Sequence, residues 1–394
     1  MKLLSIETSC DDTCISIFEV KGGSISASFK VLANNSNSQI AVHIPYGGVY
    51  PVLAKREHAK NLPIILEASL KQAKLEKKKS PVDAIAVTYG PGLEMCLWEG
   101  ISFAKALAEK WNVPLIPTNH MEGHVLSVFG KHKGTFKIPK LKAPILSLLV
   151  SGGHTQLVLT KKPASTRTSL GGWMDYEIIG ETLDDAVGEA FDKAARMIDL
   201  PYPGGPQISK LASQLRETRE RSIAQADEPS IANFQQKIMR AESTSFPEIS
   251  LPRPMLYSKD FNFSFSGLKT AVLYLVRDLK KKDPNILENI EVKKAIALEF
   301  ENAAIECLVH KTKKAVEKYG VKTLIVAGGV AANKHLRSEM KRVLGKKIKL
   351  LVPTQELSGD NSLMIGIAGY LNFMKNKKKV PKIGTIKATG NLRL

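Results

Sequence analysis

Two histidines, His120 and His124, stand four residues apart in the stretch HMEGH. On a helix, residues at this spacing lie on one face, so two imidazoles can bind one metal ion. Thr118 or Asn119 would cap such a helix. In H-E-x-x-H zinc proteases a glutamate directly follows the first histidine, whereas Glu122 lies one position later and faces away from the histidine pair. The pattern indicates a metal site without protease chemistry; two ordinary histidines of a helix surface or core are the alternative.

A third metal ligand must come from a distant part of the chain. Asp360 is the best candidate, because it is a carboxylate in the glycine-containing loop SGDNS ahead of an apolar stretch. The alternative is that Asp360 only caps the helix that follows. We therefore predict that His120, His124 and Asp360 meet around one cation.

Small and polar residues follow two apolar, strand-like runs. The stretch SGG at residues 151–153 comes after ILSLLV, and its glycines let backbone N–H groups approach a phosphate closely. The loop ETSCDDT at residues 7–13 is its counterpart, in which Asp11 or Asp12 could hold a metal or orient a reactant. An ordinary Gly-Gly hairpin turn and a pair of turn aspartates are the alternatives.

A further glycine pair lies in AGGVAAN at residues 327–333, between an apolar strand and a helix. Helix N-terminal amides and the side chain of Asn333 could bind a nucleotide there, and a closely packed helix start is the alternative. Neither G-x-G-x-x-G nor a P-loop occurs, so the pattern indicates neither a Rossmann nor a Walker site. Asp192, in an acidic helical stretch, could reach a ribose hydroxyl or pair with surface cations.

Strands alternate with helices along the chain, which is typical of an α/β fold. Residues 3–18 (LLSIETSCDDTCISIF) and 145–160 (ILSLLVSGGHTQLVLT) share one layout: an apolar strand, a tight polar loop and a β-branched return strand. This internal repeat predicts a duplicated fold with a cleft between two lobes.

We place the lobe boundary in the basic, Gly- and Pro-containing residues 131–142. The chain then divides into an N-terminal lobe at residues 1–130 and a C-terminal lobe at residues 131–370. Residues 210–252 are predicted to form a partly helical insertion in the second lobe. Residues 371–394 are predicted to be an exposed basic tail.

The bulk composition limits the possible classes of protein. With 394 residues, 43% of them hydrophobic, the chain can build two cores. It has no run of 18 apolar residues and starts in a strand-like run without a charged leader, so we expect a cytoplasmic protein without a membrane span. Its four cysteines form no C-x-x-C pair, which argues against a zinc ribbon and a thioredoxin site. The net charge of +19 favours a polyanion such as a nucleic acid as partner, and solvated lysine-rich faces are the alternative.

Several stretches together resemble motifs of the tRNA N6-adenosine threonylcarbamoyltransferase family, in family order. They are LLSIETSCDDT, NHMEGH, LLVSGGHTQL, GEAFDKAARM, YPGGP, FSFSGLKTA, AGGVAANKHLR and GDNSLMIGIAG. The resemblance implies a two-lobed, duplicated actin-like (ASKHA) α/β fold with an interlobe cleft. It also implies transfer of a threonylcarbamoyl group from threonylcarbamoyl-AMP to N6 of the adenosine 3′-adjacent to the anticodon, in tRNAs that read codons beginning with adenine.

The resemblance also implies roles for individual residues. It matches His120, His124 and Asp360 to the family's metal ligands, and Asp11 to an acidic position with a catalytic role. It matches to substrate contacts the residues Leu149, Val150, Ser151, Gly152, Gly153, Asp192, Gly205 and Asn333. The implied metal is iron(II), with zinc as the second candidate, and two histidines with one carboxylate suit either ion. The implied partners are tRNA, threonylcarbamoyl-AMP, an inactive paralogue and a small ATPase, in the cytoplasm of a bacterium and without a membrane.

Three departures from the family pattern concern partners or the shape of the cleft. Residues 93–100 (LEMCLWEG) replace small apolar residues, residues 210–252 are longer than usual, and the chain ends in NLRL instead of an Arg-Pro-Arg-Trp-like sequence. Two other functions remain as alternatives. One is a small-metabolite kinase of the same superfold, and the other is a non-catalytic binding protein.

Overall fold

The computed structural model describes residues 1–23, 26–140, 142–163, 174–224, 249–376 and 380–394. Its strands form two sheets. The first sheet contains β1 (Lys2–Glu7), β2 (Asp12–Lys21), β3 (Ser28–Ser38), β4 (Ala84–Gly90), β5 (Leu115–Asn119) and β6 (Gly134–Lys137). The second contains β7 (Ile145–Val150), β8 (Thr155–Pro163), β9 (Met174–Glu181), β10 (Thr323–Ala327) and β11 (Lys349–Leu351).

The two sheets repeat one topology. The first has the order β5-β4-β1-β2-β3-β6 and the second the order β11-β10-β7-β8-β9. In each, a long antiparallel hairpin (β1-β2 or β7-β8) continues into a third antiparallel strand, and two parallel strands extend the other side. Apart from β6, the strands correspond one to one, which confirms the duplicated α/β fold predicted from the repeated hairpin.

The helices cover the faces of both sheets. They are α1 (Ile40–His43), α2 (Pro51–Gln72), α3 (Glu94–Trp111), α4 (His120–Ser127), α5 (Val187–Met197), α6 (Gly204–Ala224), α7 (Ser266–Lys282), α8 (Ile290–Tyr319), α9 (Lys334–Leu344) and α10 (Ser362–Asn376). Helices α2 and α3 bury one face of the first sheet, and helices α5 to α9 bury one face of the second. Within the described ranges, every helix is too short or too polar to cross a bilayer.

Helices α4 and α10 lie between the two sheets. The apolar side of α10 packs on the second face of the first sheet. Met121 and Val125 of α4 pack on the free face of the second sheet, against Leu149 and Ile325. The two helices also touch each other, because a Cβ at Gly123 would lie only 3.0 Å from Met364. A short buried helix is thereby held between both halves of the molecule.

The residue limits of the two lobes stay predictions. Two elements beyond position 131, β6 and α10, pack with the first sheet. Helix α6 covers the start of the predicted insertion, and residues 225–248 lie outside the described residues. The predicted exposed tail is wrong for Ile386, which is buried among residues of the first core. This packing is possible because the basic segment carries an apolar side chain that joins the apolar cluster of the first lobe.

Candidate functional site

The histidine pair lies on a helix that starts directly at the end of a strand. β5 ends at Asn119, whose Oδ1 accepts hydrogen bonds from the backbone N–H groups of Met121 (2.8 Å) and Glu122 (3.2 Å). Asn119 is therefore the N-cap of α4, as one of the two predictions had it. Both His120 and His124 are buried.

The structure brings Asp360 to the two histidines. Asp360 Oδ1 lies 3.3 Å from His120 Nε2 and 3.2 Å from His124 Nε2. One ligand atom from each residue lies within 4.8 Å of the others. The loop that carries Asp360 leads into α10, so the packing of α10 on α4 brings the Asp360 carboxylate close to the two histidines. The three residues predicted to hold a cation thus form one cluster and could bind a metal ion.

His124 provides the test of whether a cation fits this cluster. Within the described part of the chain, neither Nδ1 nor Nε2 of this buried ring has a hydrogen-bond partner. Its Nε2 lies near Asp360 Oδ1, but the approach lacks the direction of a hydrogen bond. A buried nitrogen without a partner is costly. An imidazole lone pair facing a second imidazole and a carboxylate matches the donor set of a divalent transition metal.

Glu7, at the end of β1, contacts His120 and was not among the site residues predicted from the sequence. Its buried carboxylate lies 3.0 Å from His120 Nδ1, and it accepts hydrogen bonds from Thr88 Oγ1 (2.6 Å) and the Ser9 backbone N–H (2.5 Å). A carboxylate at Nδ1 keeps the proton there and turns the Nε2 lone pair toward the cation site. The residues around Glu7 do not indicate this contact, because it depends on the pairing of β1, β4 and β5, which are far apart in the sequence.

The cluster holds more negative than positive charge. Burial alone lowers the pKa of His120, but the carboxylates of Asp360 and Glu7 outweigh burial and raise it to about 10. Burial raises the pKa of Asp360, and the charges of the histidines hold it well below its usual range. Burial lowers the pKa of His124. One positive charge, carried by a proton or by a metal ion, is therefore strongly favoured between the two carboxylates.

Asp11 lies in the loop between β1 and β2. Burial and then the charge of Asp360 raise its pKa, so the two carboxylates are within electrostatic reach. Burial also raises the pKa of the neighbouring Asp12, to about 7. Tyr202 was not singled out from the sequence. Burial and then the charges of Asp11 and Asp192 raise the pKa of its hydroxyl.

The predicted phosphate loop connects β7 to β8 and is open. Ser151 N donates to His154 O (2.8 Å), and His154 N donates to Ser151 Oγ (3.1 Å), which closes the turn. Gly152 and Gly153 are exposed, and a Cβ on either would meet no atom of the described residues within 4 Å. Neighbouring protein atoms therefore do not require glycine at these two positions.

Two other glycines beside this loop are required by the packing of the chain. A Cβ at Gly188 would lie 2.6 Å from Ser151 O, and a Cβ at Gly328 would collide with Val150 O. Leu149 and Val150 themselves point into the cores, so only their backbone can contact a ligand.

His154 follows the glycine pair of the open loop, and the charges of the metal cluster act on its ring. Burial, followed by the charges of His120 and His124, lowers the pKa of His154 to about 4. The loop and the cluster are thus close enough to share an electrostatic environment. The position of His154 directly after the glycine pair was the signal in the sequence that could have drawn attention to it.

The remaining predicted substrate contacts already have partners within the protein. Asp192 Oδ1 accepts hydrogen bonds from the N–H groups of Gly204 (2.7 Å) and Gly205 (3.2 Å) at the start of α6. Asn333 caps α9 through Leu336 N (2.8 Å), and its amide donates to Ser209 Oγ (2.8 Å) and Glu301 Oε1 (2.7 Å). Their substrate roles stay predictions.

Comparison with known proteins gives the family. A family model described as tRNA N6-adenosine threonylcarbamoyltransferase matches residues 30–367. A protein of that name from Thermosipho africanus is 39% identical over 395 residues, covering 100% of both chains. One from Chromobacterium violaceum is 41% identical, covering 95% of this chain and 93% of the relative.

Solved structures give more distant similarity. Component A of the Acidaminococcus fermentans (R)-2-hydroxyglutaryl-CoA dehydratase aligns over 94% of this chain and 98% of its own, with a TM-score of 0.45 and 11% identity. Full-length HypF in a phosphate- and nucleotide-bound form aligns over 95% of this chain and 46% of its own, with a TM-score of 0.47 and 14% identity.

Proposed function

The chain belongs to the tRNA N6-adenosine threonylcarbamoyltransferase family, and we propose that it forms threonylcarbamoyladenosine in tRNA with a metal held by His120, His124 and Asp360. The donor is threonylcarbamoyl-AMP, and the acceptor is N6 of the adenosine 3′-adjacent to the anticodon in tRNAs that read codons beginning with adenine. The observation that carries the metal site is the convergence of His120, His124 and Asp360, in which neither nitrogen of the buried His124 ring makes a well-directed hydrogen bond to a described residue.

The proposed ion is iron(II), with zinc as the second candidate. Two imidazole nitrogens and one carboxylate oxygen suit both ions and leave positions open for a substrate. When bound, the ion supplies a Lewis acid beside the donor. Glu7 fixes the ring of His120 through Nδ1, which keeps Nε2 available to the ion.

The open loop is the proposed binding site of the AMP phosphate. The backbone N–H groups of Gly152 and Gly153 can contact an anion, because no described side chain fills the space above these two residues, whereas the Ser151 N–H already donates to His154 O. Bound there, the phosphate is stabilised as it leaves the carbamoyl carbon. Leu149 and Val150 contribute backbone only. Gly205, Asp192 and Asn333 are proposed to complete the nucleotide pocket.

Asp11 is proposed to accept the proton that N6 loses when it attacks the carbamoyl carbon. Its raised pKa, caused by burial and then by Asp360, makes the carboxylate a stronger base than a solvated aspartate. Asp11 is also within electrostatic reach of the cluster, which fits a reaction centre between the first loop and the metal. Its conservative replacement, Asp11→Asn, keeps the shape and removes the base.

The net charge of +19 supports binding of the tRNA backbone. An anticodon loop is single-stranded, so an unstacked adenosine can enter a pocket that excludes a paired base. The further proposed partners are an inactive paralogue and a small ATPase, and the proposed compartment is the cytoplasm. A kinase of the same superfold is disfavoured, because the Mg²⁺ that such enzymes use prefers oxygen ligands to imidazoles.

The experiment that tests this function is reconstitution with threonylcarbamoyl-AMP and unmodified tRNA, with the modified nucleoside measured by mass spectrometry. Wild-type protein with its accessory subunits and iron(II) or zinc is expected to modify the tRNA. His120→Ala is expected to lose both bound metal and product, whereas His132→Ala, which changes an exposed histidine, retains both. Full activity of the His120→Ala variant would contradict the assigned metal site.

A further inference from the structure

Residues 386–394, called the strap below, lie along the loop between β4 and α3. Thr389 N donates to Tyr89 O (2.8 Å), and Gly92 N donates to Gly390 O (3.0 Å). A Cβ at Gly90 would collide with Thr389 O, so the strap and the loop are in direct backbone contact. Ile386 anchors the start of the strap in the first core.

The strap also reaches the residue that starts the metal-binding helix. Asn119 Nδ2 donates to the carbonyl oxygen of Arg393 (3.1 Å), while Asn119 Oδ1 accepts the two hydrogen bonds that cap α4. An amide can turn either end toward a helix, and only the oxygen can cap it. The Arg393 carbonyl favours the capping orientation, because it gives the NH₂ group an acceptor on the opposite side.

Arg393 also contacts the second sheet through its side chain. The Arg393 guanidinium donates to Glu181 Oε1 (2.8 Å), at the end of β9. Glu181 Oε2 in turn accepts from Gln156 Nε2 (3.4 Å) on β8, next to the open loop. Leu394 packs on the apolar cluster that Met121 of α4 shares with the second sheet. The strap therefore touches the first sheet, the start of α4 and the second sheet in succession.

We propose that the strap is a positioning element for α4, which sets the places of His120 and His124 by fixing Asn119 and by tying the helix to both sheets. The link from helix position to metal binding rests on the proposed metal site. Both Arg393 and Glu181 are partly exposed, so their ion pair contributes little by itself. The larger share is expected from the hydrogen bond between Asn119 and the Arg393 carbonyl.

The first pair of test variants removes this hydrogen bond and keeps the helix cap. Asn119→Asp and Asn119→Ser both retain an oxygen that caps a helix well, and both lack the amide donor. Because one variant is charged and the other neutral, agreement between them separates loss of the donor from added charge. A second set tests the ion pair by exchanging its charges: Arg393→Glu, Glu181→Arg and the double variant.

Two measurements are made on each full-length variant. The first is the dissociation constant of Co²⁺, used as the metal probe in competition with a chromophoric chelator. The second is hydrogen–deuterium exchange of the metal-free protein at the amides of α4. Both Asn119 variants are expected to bind Co²⁺ about fivefold more weakly, the typical effect of one hydrogen bond, with faster exchange confined to α4. Each single charge reversal is expected to weaken binding about twofold, and the double reversal to restore it.

Arg342→Glu is the matched control, because it reverses the arginine of another exposed ion pair, with Glu339, away from the strap. It is expected to change neither measurement. If the α4 amides of the Asn119 variants and of the single charge reversals exchange at the wild-type rate, the proposed role of the strap is contradicted, whatever the dissociation constant of Co²⁺. Co²⁺ binding that survives in His120→Ala would instead contradict the metal site, while fast exchange in the Asn119 variants would still support the strap.

Discussion

The metal cluster and the glycine loop differ in how much of their geometry the protein itself supplies. The two histidines of the cluster are buried, and Glu7, Thr88 and Asn119 fix its helix and one of its rings by hydrogen bonds. The loop is exposed, and nothing in the described protein fills the space above Gly152 and Gly153. The comparison teaches that the protein alone organises one half of the proposed site, whereas the other half leaves backbone groups open to the proposed ligand.

Asp360→Asn is expected to have the largest effect on the organised half. The amide keeps the shape of the side chain but removes the negative charge that faces both histidines. Metal affinity should fall by at least about 100-fold, since even partners outside the ligand set cost 10- to 100-fold. Isothermal titration with Zn²⁺ measures this change. Near wild-type affinity would show that Asp360 is not a ligand.

Glu7→Gln is expected to weaken metal binding by about 30-fold, within the range for partners of ligating histidines. The glutamine has the same size, but its amide group can present an N–H to His120 Nδ1 and so stops favouring the productive tautomer. Glu19→Gln, a half-buried change elsewhere in the first sheet, is the control. Equal Zn²⁺ affinity in Glu7→Gln and wild type would remove Glu7 from the site.

Gly153→Ala is expected to leave folding unchanged and to raise the KM for threonylcarbamoyl-AMP about tenfold, the cost of one displaced charge-assisted hydrogen bond. Its contrast is Gly328→Ala. Gly328 has a φ of 96°, and the new Cβ would collide with Val150 O. That variant should lose about 2 kcal/mol or more of the free energy of unfolding. Urea denaturation and steady-state kinetics separate the two results, and destabilisation by Gly153→Ala would contradict an open loop.

The smallest expected effect is that of Gly153→Ala on the stabilisation by Zn²⁺, which should not change. Zn²⁺ at 100 times its dissociation constant should add about 2.7 kcal/mol to the free energy of unfolding. Gly153→Ala should gain the same amount as wild type, because the loop does not hold the ion. Calorimetry at fixed Zn²⁺ concentration measures the gain. A smaller gain in Gly153→Ala would mean that the loop and the cluster are organised together.

Local patterns predicted the parts of the site that depend on local structure. The spacing of His120 and His124 specifies a helical face, and Asn119 is a good cap, so both could be recognised from neighbouring residues. The repeated hairpin likewise predicted the duplicated sheet topology. Asp360 was found by its residue type and loop, but only the packing of α10 on α4 shows why it reaches the histidines.

Glu7 and the strap could not be found in this way, because their roles depend on long-range order. Glu7 meets His120 only because β1, β4 and β5 are parallel neighbours and end at the same edge of the sheet. The segment after Leu371 is rich in lysine, which suggested a tail exposed to solvent. Its position is decided instead by Ile386 and by backbone hydrogen bonds to the loop after β4.

X-ray absorption spectroscopy of the zinc-loaded protein tests the central claim most directly, because it reports the ligands of the ion. Two imidazole nitrogens and carboxylate oxygen at about 2.0–2.2 Å are expected in the wild type. His124→Ala should lose one imidazole contribution or the ion itself. A spectrum that is unchanged in His124→Ala, or one dominated by sulfur at about 2.3 Å, would contradict the assignment of the metal to His120, His124 and Asp360.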